Sequence, residues 1–112
     1  YAVSAQFDNI GGLKVRAPVK SAGVVVGRVA DIRLDPLRYR AEVVLMLDKR
    51  FPFPSDTAAS ILTSGLLGEQ YVGLDAGVDE AMLASGDRIE ITSSAVVLEK
   101  LIGQFLFNKA AE

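Results

Sequence analysis

GVVVGRVADIRLD, residues Gly23 to Asp35, decides the fold class. β-branched side chains dominate its first half, and these are stiff at χ1 and pack well on a pleated surface. Gly27 interrupts the run as a candidate bulge or bend. Asp35-Pro36 then opens a turn. From Tyr39 to Asp48 the pattern alternates, with Ala41, Val43, Leu45 and Leu47 on one face. Together the two segments predict a hairpin with one buried face.

The flanking sequence repeats this logic. Tyr1, Val3, Ala5 and Phe7 alternate over YAVSAQF and predict a strand, and DNIGGL, Asp8 to Leu13, turns the chain. Val15 to Lys20 is a short extended piece in which Pro18, lacking an N–H, belongs at an edge or a strand end. FPFPSD, Phe51 to Asp56, carries two prolines and reads as a connection. Ala58 to Thr63 and Gln70 to Leu74 are short strands. Gly77 to Gly86 is a looser, partly acidic link, and Arg88 to Ile91 supplies one more strand. Several short strands divided by Gly, Pro and Asp turns predict an all-β fold, a small barrel or sandwich, of which a closed barrel would leave no free edge.

The chain has 112 residues and half of them are hydrophobic, which fits one domain with its own core. The formal net charge is -2, and Lys and Arg form no cluster beyond short pairs such as Lys49-Arg50, so no phosphate-neutralising patch argues for nucleic acid. There is no Cys and no His. That removes a disulfide framework, a thiolate site, and both Ser-His-Asp and Cys-His catalysis. No apolar run reaches the roughly 18 residues of a bilayer-spanning helix. Because the chain opens on Tyr1 rather than Met, it is expected to be a soluble piece of a longer protein, with any anchor upstream.

Two apolar features stand outside the strand pattern. In TSGLLGEQYVGL, Thr63 to Leu74, Leu66 and Leu67 lie between Gly65 and Gly68. Glycines on both sides mark a turn, and turns lie at the surface. Two leucines there leave unburied hydrocarbon worth roughly 1.5 to 3 kcal/mol per residue. Either the tip folds back on its own barrel, or it is an apolar contact or pore-lining loop. The second feature is the C-terminal segment. Ser93 or Ser94 can cap a helix over Ala95 to Asn108. Val97, Leu98, Leu101, Ile102, Phe105 and Leu106 fall on one half of its wheel, too wide for a two-stranded coiled-coil seam. Such a stripe is covered by the barrel or by several helices. The expected layout is a barrel over residues 1–92, an amphipathic helix over 93–108 and a tail over 109–112.

Other motifs carry little. Gly23 and Gly27 have GxxxG spacing but sit in a strand pattern too short for a membrane. Gly11-Gly12 with Lys14 lacks the full phosphate-loop pattern. Asp31 and Asp35 are the best carboxylate pair for acid–base chemistry, yet nothing in the sequence makes them converge. No calcium-loop spacing is present, so no metal, cofactor or catalytic residue is expected.

FDNIGGLKVRAPV (Phe7 to Val19), GVVVGRVADI (Gly23 to Ile32), the Leu-Leu turn and VLEKLIGQFLF (Val97 to Phe107) occur in order over nearly the whole chain. In these motifs the chain resembles the MCE (mammalian cell entry) domain family, and within it the periplasmic lipid-binding subunits of Gram-negative phospholipid ABC transporters. The resemblance implies a barrel that assembles as a homohexameric ring with a central pore lined by Leu66 and Leu67. The C-terminal helices would gather beside the ring axis. The implied role is phospholipid binding and passage in maintaining outer-membrane lipid asymmetry. Implied partners are a permease, an ATPase and a small regulatory subunit at the inner membrane, and a soluble periplasmic lipid carrier. The implied location is the periplasm, below an N-terminal membrane helix absent from this chain. The competing reading is an adhesion or protein-interaction module that uses its exposed leucines.

Overall fold

The computed structural model describes residues 1–66 and 68–95, and its regular structure is entirely strand: β1 (Ala2–Phe7), β2 (Pro18–Ser21), β3 (Val24–Leu34), β4 (Ala41–Leu47), β5 (Ala58–Thr63), β6 (Gln70–Asp75), β7 (Arg88–Ile89) and β8 (Ile91–Ser93). They form one sheet in the order β7-β1-β4-β3-β2-β6-β5-β8. Only Glu90 separates β7 from β8, although the two occupy opposite ends of that order. A single extended segment therefore pairs parallel with β1 through its first half and parallel with β5 through its second. This brings the two edges together, and the Thr92 hydroxyl donates to the Gln6 carbonyl of β1 at 2.7 Å. The result is an all-β, nearly closed barrel: of the barrel and the sandwich that the strand pattern leaves open, the fold takes the barrel that the family resemblance implies. Among the described residues, no helix is long and apolar enough to cross a membrane.

The expected β3–β4 hairpin is present and antiparallel, from Gly27↔Leu47 to Leu34↔Ala41. Asp35 organises its turn: Oδ1 accepts from the Leu37 and Arg38 amides, at 2.9 and 3.3 Å, while its carbonyl accepts from Tyr39 N–H. At the other end of β3, Ala22 and Gly23 both have positive φ, 52° and 81°, as a two-residue I′ turn requires. The expected irregularity at Gly27 is resolved into two bulges that flank it. Val26 is the extra residue against β2, and Ala30 the extra residue against β4. The second bulge resets the alternation, so that Val29 and Ile32, three apart, both pair with inward residues of β4, Leu45 and Val43. Gly27 has no alternative, since a Cβ there would lie 3.0 Å from Leu47 Cα and collide with the Met46 carbonyl.

Alternation along β1, β4, β5 and β6 fills the barrel with Val3, Ala5, Phe7, Val43, Leu45, Leu47, Ala59, Ile61, Val72 and Leu74, all buried. Phe53 and Leu83, bonded through Leu83 N–H to the Phe53 carbonyl, close the end that carries Tyr1. Leu13 and Ile10 pack against the core at the other end. The register fixes what shares that second end. β1 leaves it at Phe7, β3 turns there after Leu34, and β5 and β6 meet there at Thr63↔Gln70.

Candidate functional site

The β5–β6 hairpin tip, residues 64–69, is closed by one backbone bond, Ser64 N–H to the Glu69 carbonyl at 3.0 Å. Both of its glycines are needed, for different reasons. Gly65 has φ +70°, a conformation L side chains rarely take, although open space surrounds it. Gly68 is required by contact, because a Cβ there would lie 2.7 Å from the Ser64 carbonyl carbon and collide with its oxygen. The turn so formed projects Leu66, which is 80% exposed. Of the two sequence alternatives for this residue, folding back on its own barrel is not what the fold does. Leu67 lies outside the described residues, as do Val97, Leu98, Leu101, Ile102, Phe105 and Leu106 of the expected helix.

The chain reaches that C-terminal segment at the same end of the barrel. β8 runs through Ser93, and the Ser94 hydroxyl accepts from the Asp8 and Asn9 amides at 2.9 and 3.2 Å. Ala95 N–H donates to the Asn9 carbonyl at 2.9 Å. Ser94 is thus engaged with the loop after β1. The Leu66 turn, the loop Asp8–Leu13 and residues Ser94 and Ala95 after β8 are brought together, which the sequence alone does not reveal. Below the turn, on the outer face, Leu62 and Tyr71 are cross-strand partners and Lys20 Nζ lies 5.0 Å from the Tyr71 ring centroid.

The charged groups have local duties. Asp31 pairs with Arg33 at 2.9 Å and also accepts from the Ile32 amide. Asp35 caps the β3–β4 turn, and the Leu37 amide, aided by Arg38 and the Gln6 side chain, holds its carboxyl below the usual carboxylate range. The two carboxylates considered for acid–base work therefore each serve their own stretch of backbone. Asp8 pairs with Arg40 at 2.9 Å beside them. Among the described residues no three His, Cys, Asp or Glu side chains converge as metal ligands. What this end of the barrel offers chemically is exposed hydrocarbon on a defined turn.

Sequence reasoning missed Gln70 and the purpose of Gly11-Gly12. The Gly12 amide donates to Gln70 Oε1. Adjacent glycines demand close backbone approach, and that was the available signal.

The family model described as MlaD protein matches residues 1–77. The chain is 52% identical over 118 residues to the intermembrane phospholipid transport system binding protein MlaD of Escherichia coli K12, covering 100% of this chain and 64% of that protein. It is 53% identical over 111 residues to the protein of the same name from Haemophilus influenzae, covering 96% of this chain and 66% of that one. The chain thus spans just under two thirds of the length of these relatives. Among solved structures, a chain of the Acinetobacter MlaFEDB complex in its ATP-bound Vtrans1 conformation superposes with a TM-score of 0.84 at 29% identity, over 94% of this chain and 80% of that one. With the barrel and these likenesses in agreement, the chain belongs to the MlaD family of MCE domains.

Proposed function

We propose that this chain is the periplasmic, phospholipid-binding part of an inner-membrane ABC lipid transporter that maintains outer-membrane lipid asymmetry. Six copies form a ring, and lipid passes through its apolar centre past Leu66 and Leu67. The observation that carries the reading is Leu66, 80% exposed on a turn that both flanking glycines hold open. A monomer has no internal reason to keep that hydrocarbon in water. A ring of such turns offers acyl chains an apolar surface and offers water and ions no hydrogen bonds, so tails pass with little desolvation cost while ions do not.

The names of the relatives support a phospholipid ligand, and the likeness to a chain of an ATP-bound complex supports assembly with a permease and an ATPase. The small regulatory subunit and the soluble periplasmic carrier belong to the same proposal. In it the apolar helix face Val97, Leu98, Leu101, Ile102, Phe105 and Leu106 extends the passage, and this chain performs no bond chemistry. The test is mass spectrometry of phospholipid co-purifying with the wild type and with the Leu66→Asn, Leu67→Asn double variant, alongside native mass. The expected result is a sixfold assembly in both and lipid only in the wild type. Equal lipid in both would sink the pore assignment, and a wild-type protein free of lipid would favour an adhesion module.

A further inference from the structure

The loop Asp8–Leu13 makes attachments that neither strand pairing nor core packing demands. Its Gly12 amide donates to Gln70 Oε1, and Gly11, at φ +56°, lies so close that a Cβ would sit 3.0 Å from Gln70 Nε2 and 3.1 Å from Cδ. Gly11 N–H is itself held by Asn9 Oδ1 at 2.8 Å. From the other side of the loop, the Asp8 and Asn9 amides reach Ser94 Oγ, and the Asn9 carbonyl takes Ala95 N–H. One short loop therefore grips both the foot of the Leu66 turn and residues Ser94 and Ala95 just after β8.

The turn needs such a grip. β2 pairs with β6 only at Val72 and Gly73, so Gln70 and Tyr71 extend past their neighbour on that side. At the tip, exposed Leu66 contributes little packing, and the Ser64–Glu69 bond ties the two arms to each other rather than to the barrel. Among the described residues, the Gln70 side chain is the hydrogen-bonded tether from the foot of this hairpin to the Asp8–Leu13 loop. A glutamine amide reaching into a pair of glycines gives that tether a fixed geometry, because neither Gly11 nor Gly12 carries a side chain to intervene.

We infer that Gln70 is a positioning residue and Asp8–Leu13 a bracket, together holding the Leu66 turn in one fixed relation to the end of the barrel and to Ser94 and Ala95 after β8. The inference rests on the proposed role of Leu66 as a lipid-contact group. An apolar contact surface built on the turn works only if the turn keeps its place on the barrel, and the bracket sets that place.

The test compares Gln70→Ala, Gln70→Glu and Leu66→Asn in the full-length protein. Readouts are co-purifying phospholipid, amide exchange over residues 8–13 and 64–70, and melting temperature. Gln70→Ala is expected to lose at least threefold of its lipid and to exchange at least tenfold faster at Gly12 and Ser64, with the melting temperature nearly unchanged. Gln70→Glu, whose carboxylate still accepts from Gly12 N–H, is expected to retain both lipid and protection. Wild-type lipid in Gln70→Ala with loss in Leu66→Asn overturns the bracket and leaves the proposed function standing. Equal loss in Gln70→Ala and Gln70→Glu also overturns it. If Leu66→Asn also keeps its lipid, the double variant decides the functional reading and exchange alone decides the bracket: faster at Ser64 in Gln70→Ala supports it, unchanged overturns it.

Discussion

Replacing Gly68 by Ala separates the geometry of the Leu66 turn from the stability of the barrel. The added Cβ would lie 2.7 Å from the Ser64 carbonyl carbon and 3.1 Å from Ser64 Cβ. The turn cannot keep its shape, because the new Cβ collides with the backbone Ser64 oxygen. It must shift and open the Ser64–Glu69 bond, a net loss of about 0.5 to 1.5 kcal/mol. Opening meets little resistance, because Leu66 is 80% exposed and little packing holds the tip. The expected destabilisation is therefore about 1 kcal/mol, a fall in Tm of about 4 to 8 °C for a domain near this size. Gly65→Ala is the control. Its Cβ would meet nothing within 4 Å, and the cost is that of left-handed backbone, about 1 to 2 kcal/mol, with the turn intact. The two variants should therefore melt alike and differ at one amide. Exchange at Ser64 N–H should quicken in Gly68→Ala and stay near wild type in Gly65→Ala, with lipid retention following the same split. A loss above about 3 kcal/mol in Gly68→Ala, or a Ser64 amide as protected as before, would refute the reasoning.

Burial and charge give three further outcomes. Leu45→Ala removes a fully buried side chain at the centre of β4 and should cost about 2 to 5 kcal/mol by urea denaturation. Leu66→Asn should cost well under 1 kcal/mol, since only a fifth of that side chain leaves water. Acid should weaken the fold through turn carboxylates. Arg50 lowers the Asp48 carboxyl to about 2, backbone amides at Val78 and Asp79 lower Asp56, and the Leu37 amide lowers Asp35. Groups lowered in the folded state stabilise it above their unfolded values near pH 4, and the contribution is lost as pH falls through the folded values. Thermal melts should be flat from pH 7 to about 5 and fall below about 4, less steeply in Asp48→Asn. A melting curve unchanged down to pH 2 would contradict the assigned shifts.

Much of the strand layout is legible in the residues because barrel strands announce themselves by period and punctuation. The alternation Val43, Leu45, Leu47 marks β4 with its buried face, and Asp35-Pro36 marks the turn before it. Bulges are harder. Gly27 signals an irregularity, but whether the extra residue is Val26, Ala30 or both depends on the registers of two different neighbours. The turn motif identifies Leu66 and its glycines, while its exposure is a property of what stands nearby.

By itself, the sequence determined the fold class, the strand segments, the placement of two leucines on a glycine-flanked turn, and the family, since these rest on local preferences and ordered motifs. Only the tertiary structure decided how the barrel closes, through one segment split at Glu90 that pairs parallel with β1 and β5. It alone decided that Gln70 meets Gly12 from 58 residues away, at the barrel end where Ala95 N–H meets the Asn9 carbonyl. Parallel pairing and side-chain contacts across the sheet depend on registers between segments distant in the chain, and no local pattern encodes a register.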